Sequence, residues 1–309
     1  MSRAPSNLAA SVKQRLLNRA RDRREDFNLL LTKFALERVL YRISQSPHRN
    51  AFVLKGALLF ELWTDQTHRP TRDADFLSLG HNSPERFQQI FREICILPVP
   101  EDGFRFDPDS IEVERIKEGE DYEGLRVTFR GYLEAARIPV QIDIGFGDVV
   151  TPEPTETAYP TLLDSPAPVL RAYPRETVVA EKFEALVKLG MVNTRMKDFH
   201  DLRTLSAMFP FEGFQLSEAI RRTFERRNMP LPLAKPPTAL TAEFSGDRIK
   251  NAQWNAFVSK NAHYIEPTAL SEVITGIREF VMPVCRWASG TEPRALRWQA
   301  GGPWQRSTE

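Results

Sequence analysis

Two aspartates separated by one residue, Asp73 and Asp75, are the side chains in this sequence most suited to chemistry. Residues 72–77 have the pattern of a short strand, on which side chains alternate between two faces. Asp73 and Asp75 should therefore share one face, while Ala74 and Phe76 point into the core. Paired carboxylates repel each other unless a cation lies between them, and Mg²⁺ commonly binds through one or two carboxylates plus substrate phosphates. The alternative is a solvated strand end without a metal.

A glycine turn precedes these aspartates. Residues 52–55 are predicted to form a buried strand, Gly56 a tight turn, and residues 57–63 the first turns of a helix with apolar periodicity. A helix that starts directly after a strand offers unpaired N–H groups to a phosphate, and a glycine lets the phosphate approach the backbone closely. We therefore expect a phosphate site beside the carboxylate pair.

A third carboxylate lies on a predicted β-hairpin. Apolar and polar residues alternate over residues 125–130 and again over 138–144, with a polar connection at residues 134–137. Asp143 stands on the face opposite the aliphatic residues of the second strand. It is either an ordinary outward-facing polar residue or a third metal ligand on a strand that neighbours the Asp73–Asp75 strand.

A glycine turn, an Asp-x-Asp motif and a single Asp on a later strand occur in the same order as in the nucleotidyltransferase fold of the DNA polymerase beta type. More narrowly, several blocks resemble the AbiEii/AbiGii nucleotidyltransferase toxin family of bacteria. These blocks are QRLLN (14–18), DFNLLL (26–31), ALERVLYR (35–42), FVLKGA (52–57), RPTRDAD (69–75), VAEKFEALV (179–187) and NTRMKDFHDL (193–202). The resemblance covers most of residues 10–205, with the blocks in the family's order.

The resemblance implies roles for the matching residues. Asp73 and Asp75 would carry the metal ions, and Asp143 would complete the metal site. The implied nucleotide-binding residues are Lys55, Gly56, Ala57, Arg69 and Lys182, and the late blocks add Lys182 and the acidic residue Asp198 to the catalytic set. Many relatives have Gly or Ser where this chain has Ala57, so a serine hydroxyl contact to phosphate is absent here. The implied cofactor is Mg²⁺, with two ions expected and Mn²⁺ as an alternative, and the substrate is a nucleoside triphosphate (NTP).

The two late blocks also have ordinary interpretations. Residues 176–189 are predicted to form a helix on which Lys182 flanks an apolar stripe, where a lysine usually covers core residues with its stem. Residues 195–207 are predicted to form a second helix, on which Lys197 and Asp201 are spaced to form a surface ion pair. The His200–Asp201 pair suggests a metal-dependent phosphohydrolase only weakly, because no further His/Asp set accompanies it.

Charge is segregated along the 309 residues. Residues 1–50 carry a net charge of about +7, residues 51–181 about −11 and residues 182–250 about +4. An acidic centre suits a metal site, and basic flanks could hold a polyanion near it. The basic run Arg19, Arg21, Arg23 and Arg24 is either a solvated helix face or a nucleic-acid contact.

Composition predicts a cytoplasmic enzyme. The two cysteines, Cys95 and Cys285, give no disulfide framework, and no apolar stretch approaches the roughly 20 residues of a membrane span. The predicted fold class is α+β, a mixed-sheet nucleotidyltransferase core with an N-terminal helical segment and a C-terminal helical domain. The predicted boundaries are 1–50 for the helical segment, 51–165 for the core, 166–288 for the helical domain and 289–309 for a flexible tail.

These patterns and the resemblance together predict a metal-dependent nucleotidyltransferase. The resemblance implies the toxin of a bacterial toxin–antitoxin pair, acting in phage defence, with the tRNA 3′ end as the acceptor and a cognate antitoxin as partner. Three alternatives stay open: transfer to a protein or small-molecule hydroxyl, phosphotransfer that releases a nucleoside diphosphate, and a non-catalytic binding module. The intact set of three aspartates argues against the last.

Overall fold

The computed structural model describes residues 8–64, 68–80, 82–117, 123–290 and 296–306. The chain divides into two compact units. The first comprises Met1–Gly147 and Thr155–Ala172, and the second comprises Asp148–Pro154 and Tyr173–Glu309. Of the predicted segments, residues 1–7 of the N-terminal region and residues 291–295 and 307–309 of the tail lie outside the described residues.

The first unit begins with two helices, α1 (Leu8–Arg23) and α2 (Phe27–Gln45), as the N-terminal pattern predicts. Asp26 caps α2, because its side chain accepts a hydrogen bond from the backbone N–H of Leu29 over 2.7 Å. Almost every residue of α2 is buried, so this helix is a core element of the unit.

Seven strands of this unit form one mixed sheet in the order β3-β4-β5-β2-β1-β7-β6. In chain order the elements are β1 (Phe52–Lys55), α3 (Leu59–Trp63), β2 (Ala74–Ser78), α4 (Pro84–Ile96), β3 (Phe104–Lys117), β4 (Glu123–Leu133), β5 (Ala136–Phe146), β6 (Thr155–Ala158) and β7 (Val169–Ala172). The β2–β5 and β1–β7 pairs are parallel and the remaining pairs are antiparallel. This mixed sheet, together with the helices that precede and follow it, confirms the predicted fold class.

One face of the sheet is apolar. Phe91 of α4 packs against Phe52 of β1, with ring centroids 6.0 Å apart, and against Phe129 of β4, with centroids 5.9 Å apart. Ala74 and Phe76 of β2 are fully buried, as the alternation predicts. Because strand side chains alternate, the opposite face carries Asp75 of β2, Arg126 and Arg130 of β4, and Arg137 and Asp143 of β5.

Two local predictions need correction. The hairpin connection at residues 134–137 is shorter than predicted, because β5 begins at Ala136 and pairs it with Leu133, leaving a two-residue turn with Glu134 at φ 56°. The predicted helix over residues 57–63 is also shorter. A 3₁₀ turn spans Gly56–Leu58, and α3 has only five residues, so the helix dipole at this turn is small.

The second unit is mainly helical. Its elements are α5 (Arg175–Leu189), α6 (Met196–Met208), β8 (Phe211–Glu212), α7 (Gly213–Arg226), α8 (Ala242–Gly246), α9 (Arg248–Lys260), α10 (Leu270–Ala288), β9 (Leu296–Trp298) and β10 (Trp304–Arg306). The helices predicted over residues 176–189 and 195–207 match α5 and α6 to within one residue at each end.

The tail differs from the flexible segment that its composition predicts. Strands β9 and β10 join β8 in a three-stranded antiparallel sheet. Trp298 is 4% exposed, and its indole N–H donates a hydrogen bond to the carbonyl of Ser206 over 2.7 Å. The Gly, Pro and Arg content of the segment predicted flexibility, but burial of this tryptophan provides the apolar contacts that hold the segment in place. Within the described ranges, no helix combines the length and apolarity needed to cross a bilayer.

Candidate functional site

A row of charged side chains crosses five neighbouring strands of the sheet. Lys55 on β1 is the register partner of Asp75 on β2, and Asp75 is the register partner of Asp143 on β5. Asp143 in turn faces Arg126 on β4, which faces Glu114 on β3. Directly paired positions send their side chains to the same face of a sheet. The fold therefore brings together three of the predicted site residues, Lys55, Asp75 and Asp143.

Gly56 is required at this site for two reasons. Its φ of +74° lies in the left-handed region, which favours glycine. A Cβ atom at this position would also overlap the carboxylate of Asp75, which lies directly over the turn. The ammonium group of Lys55 reaches past β2, since a Cβ atom on Gly145 of β5 would lie 3.3 Å from its Nζ. The glycine turn, the carboxylate and the lysine thus form one contiguous group.

The remaining predicted residues of the first unit lie next to this row. Asp73 directly precedes β2, is half-exposed, and accepts a hydrogen bond from the hydroxyl of Thr71 over 2.5 Å. Ala57 follows Gly56 in the 3₁₀ turn, and Arg69 lies half-buried in the segment that leads to β2. Because Asp73 lies just outside β2, strand alternation does not fix the direction of its side chain, and the shared face of Asp73 and Asp75 stays a prediction.

Asp143 has partners that sequence reasoning missed. Arg126 donates two hydrogen bonds to it, Nε to Oδ1 and Nη2 to Oδ2, each over 2.8 Å. The amide of Gln141 lies 3.2 and 3.3 Å from the same two oxygens. These bonds to Asp143 raise the pKa of the Arg126 guanidinium, and the charges of Glu114 and Asp73 raise it further. A two-residue hairpin turn would have placed Arg126 opposite Asp143, so the turn length was the signal that could have revealed this pair.

The three aspartates do not form a ready-made metal cage. In the described residues, no group of three or more His, Cys, Asp or Glu side chains is arranged to hold a metal ion. Asp143 is only 9% exposed and both of its oxygens accept hydrogen bonds, whereas Asp73 and Asp75 are half-exposed. Asp73 and Asp75 therefore fit a hard divalent cation by ligand type and accessibility. The role of Asp143 as a third ligand stays a prediction.

The late blocks form a second charged cluster, within the second unit. The ammonium of Lys182 on α5 lies 2.7 Å from Asp198 and 2.8 Å from Asp201, both on α6. Arg195 lies 2.9 Å from the other oxygen of Asp198. The predicted surface pair between Lys197 and Asp201 is therefore wrong, because α6 turns Asp201 inward, where it is fully buried. The participation of Lys182 and Asp198 in catalysis stays a prediction.

The pKa of Asp198 is lowered although its carboxyl is buried. Burial alone would raise the pKa of this carboxyl, but the nearby charges of Lys182 and Arg195 outweigh it, and the pKa lies below its usual value. Lys182 consequently sits between two buried carboxylates instead of covering an apolar stripe. The cluster ties α5 to α6.

The basic run on α1 is partly structural. Arg19 donates a hydrogen bond to the carbonyl of Leu162 over 2.7 Å, which fixes it against the segment between β6 and β7. Arg21, Arg23 and Arg24 are exposed. Only these three remain as candidates for the predicted nucleic-acid contact.

Comparison with protein families gives a match that spans most of the chain. Residues 38–275 match the family described as the nucleotidyl transferase AbiEii toxin of a type IV toxin–antitoxin system. No curated protein matches the sequence significantly.

Two solved structures from Helicobacter pylori are similar in fold. One, a proposed nucleotidyltransferase, has a TM-score of 0.45 and 13% identity, with 85% of this chain and 97% of that chain covered. The other, JHP933, has a TM-score of 0.48 and 14% identity, with coverages of 85% and 94%. Both TM-scores lie below 0.5, so the family match alone identifies the chain.

Proposed function

The chain belongs to the AbiEii nucleotidyltransferase toxin family, and from that premise we propose that its charged row is the reaction centre of nucleotidyl transfer. An acceptor hydroxyl attacks the α-phosphate of an NTP, the bond between the α- and β-phosphates breaks, and pyrophosphate leaves. The acceptor is the 3′ end of a tRNA. One observation carries the proposal: the carboxylate of Asp75 fills the space above Gly56, in register with both Lys55 and Asp143.

The glycine turn and Lys55 bind the triphosphate in this proposal. Since α3 has only five residues, its dipole contributes little, and the ammonium of Lys55 supplies most of the positive charge. The left-handed backbone at Gly56 makes room for the carboxylate of Asp75, and the β- and γ-phosphates bind the N–H groups that follow it in the turn. Ala57 offers its backbone N–H and no hydroxyl, so the turn binds phosphate without a side-chain contact from that residue.

Asp73 and Asp75 would hold the divalent cations, with Mg²⁺ favoured by ligand type. Bound there, the ions would neutralise the triphosphate and lower the pKa of the attacking hydroxyl. Asp143 stands on the side of Asp75 away from Lys55, where it completes the acidic centre. Arg126 and the amide of Gln141 both donate to the two oxygens of Asp143, so in this proposal Asp143 adds negative charge beside Asp75 while Arg126 holds it in place. Arg126 is then a positioning residue, because it fixes the orientation of Asp143.

The toxin role follows from the family, and the implied partner is a cognate antitoxin. The choice of tRNA is supported by charge, because the acidic segment of residues 51–181 is flanked by segments with net charges of about +7 and +4. The second candidate acceptor, a protein or small-molecule hydroxyl, would not use these basic flanks. Salt dependence of acceptor binding separates the two.

The test is incubation of the protein with each of the four α-labelled and γ-labelled NTPs, Mg²⁺ and total tRNA. Incorporation of the α-label into tRNA, together with release of labelled pyrophosphate from the γ-labelled NTP, supports the proposal. Transfer of the γ-label with release of nucleoside diphosphate would identify a phosphotransferase instead. Label found on protein and absent from tRNA would show that the acceptor is a protein hydroxyl, the second candidate.

A further inference from the structure

Part of strand β5 has an open edge. Strand β5 spans Ala136–Phe146, but its parallel pairing with β2 starts only where Ala74 meets Ile142. Over residues 136–141 the described strands therefore pair with β5 on its β4 side alone. A cleft of about 810 Å³ lies at this edge, bordered by β3, β4, β5, the start of α2 and Arg72. Its size falls in the range of about 300–1,000 Å³ that is usual for ligand sites.

The cleft is positively charged. Arg72, Arg130 and Arg137 line it, against a single acidic lining residue, Glu112, among the described residues. Arg130 forms an ion pair with Asp107 over 3.3 Å. Arg72 and Arg137 are exposed, and neither has a hydrogen-bond or ion-pair partner in the described part of the chain. Unpaired guanidinium groups in a concave site attract anions and bind phosphate oxygens in a bidentate manner.

The cleft is continuous with the charged row. Gln141 lines the cleft, and its amide also donates to both oxygens of Asp143. Arg72 directly precedes Asp73 in the chain. Thr128 of the lining lies two residues from Arg126 on β4, so both point to the same face of the sheet. A chain lying in the cleft would therefore end beside the carboxylates.

The position of the cleft separates it from the triphosphate site. Across the sheet the order is Lys55, Asp75, Asp143, Arg126, so the glycine turn lies on one side of the carboxylates and the cleft on the other. Phe129, the aromatic residue among the described lining residues, is 3% exposed and leaves little ring surface for base stacking. Arginine, hydroxyl and amide groups provide the polar lining, which suits a sugar–phosphate backbone.

We propose that this cleft binds the single-stranded 3′ end of a polyribonucleotide acceptor, with Arg72 and Arg137 each neutralising one phosphate, so that the terminal hydroxyl lies at Asp143 and Asp75. The inference rests on the proposed transferase function. Because the contacts are to the backbone, binding is independent of base sequence. Binding also weakens as the salt concentration rises, because Arg72 and Arg137 neutralise two phosphates.

The test compares the parent, an Arg72→Glu/Arg137→Glu double variant and an Arg92→Glu control. Arg92 lies on α4 of the same unit, is exposed, and has no partner in the described residues. The probes are a fluorescent single-stranded oligoribonucleotide with a free 3′ hydroxyl, and each NTP separately. Melting temperatures check the fold, and Arg72→Gln/Arg137→Gln serves as a milder second variant if the charge reversal fails to fold.

We expect the double variant to bind the oligoribonucleotide about tenfold or more weakly. Its slope of log affinity against log salt should flatten by about 1.4, since each single-strand phosphate contributes about 0.7. The NTP affinity of the double variant should match that of the parent. Arg92→Glu should match the parent in its affinities for both the oligoribonucleotide and the NTPs. Unchanged RNA binding by the double variant overturns the proposal, and so does an equal loss in Arg92→Glu. Weakened NTP binding with normal RNA binding also overturns it, because the cleft would then hold the nucleotide.

The transfer reaction distinguishes failure of this inference from failure of the proposed function. If the parent labels no RNA with any NTP while RNA binding still depends on both arginines, the transferase proposal fails and the cleft remains an RNA site. If parent and double variant label RNA at equal rates, the transferase proposal stands and the cleft proposal is wrong.

Discussion

Replacement of Lys182 by methionine tests whether the cluster between α5 and α6 is a structural unit. The ammonium contacts two carboxylates over 2.7 and 2.8 Å, with the lysine side chain 16% exposed and each aspartate side chain 1% exposed. Methionine retains much of the apolar stem but removes the charge. Asp198 would keep its contact with Arg195, but both buried carboxylates would lose the ammonium, and removal of one partner from a buried ion pair costs about 3–5 kcal/mol.

The measurement is urea and thermal unfolding of the parent, Lys182→Met and Lys197→Met. In domains of about 150–250 residues each kcal/mol lowers Tm by roughly 2–4 °C, so Lys182→Met should lose roughly 6–20 °C. Lys197 is exposed on α6 with no partner in the described residues, so Lys197→Met should change stability by less than about 0.5 kcal/mol. Differences in the free energy of unfolding of up to about 0.5 kcal/mol are within ordinary error. A free energy of unfolding for Lys182→Met that lies within about 1 kcal/mol of the parent value would therefore refute this reasoning.

The other predictions concern pH, the glycine turn and α1. The pKa of Asp198 is lowered from its usual 3.8. The stabilisation that this carboxylate gives is therefore present above about pH 4 and is lost as the pH falls through its pKa in the folded protein. In acid unfolding, the difference in stability between the parent and Lys182→Met should shrink over that range. Gly56→Ala should lower the free energy of unfolding by about 1–2 kcal/mol because of its left-handed backbone, and it should also reduce transfer because the new methyl group displaces Asp75. The control Gly276→Ala, on α10 with open space around it, should leave stability unchanged or raise it by up to about 1 kcal/mol. Reversal of Arg21, Arg23 and Arg24 to Glu should weaken tRNA binding and leave NTP affinity unchanged, and equal tRNA binding would make α1 a solvated face.

The faces of the site residues could be predicted from the sequence, but their neighbours could not. Period-two alternation correctly put Ala74 and Phe76 in the core and Asp75 on the opposite face, in register with Lys55 and Asp143. The partner of Asp143 depends on the register of the hairpin. Because the connection was predicted to be two residues longer than it is, Arg126 could not be recognised as that partner.

The second cluster was hidden for a different reason. Helical spacing correctly put Asp198 and Asp201 on one side of α6, but spacing within a helix does not say which side is buried. Only the packing of α5 on α6 makes Asp201 a partner of Lys182. The tail strands were missed because they are held by contacts distant in the sequence, such as the hydrogen bond from the buried Trp298 of β9 to Ser206.

The most direct test of the central claim is the rate of α-label transfer from NTP to tRNA by Asp73→Asn, Asp75→Asn and the control Asp22→Asn. Asp22 is an exposed carboxylate near the end of α1, outside the charged row. We predict that Asp73→Asn and Asp75→Asn fold with unchanged or higher Tm and lose transfer by on the order of 10²-fold or more, because no neighbour replaces the missing carboxylate, while Asp22→Asn retains the parent rate. Transfer at the parent rate by either Asp73→Asn or Asp75→Asn would contradict the assignment of the reaction centre to the charged row and the adjoining Asp73.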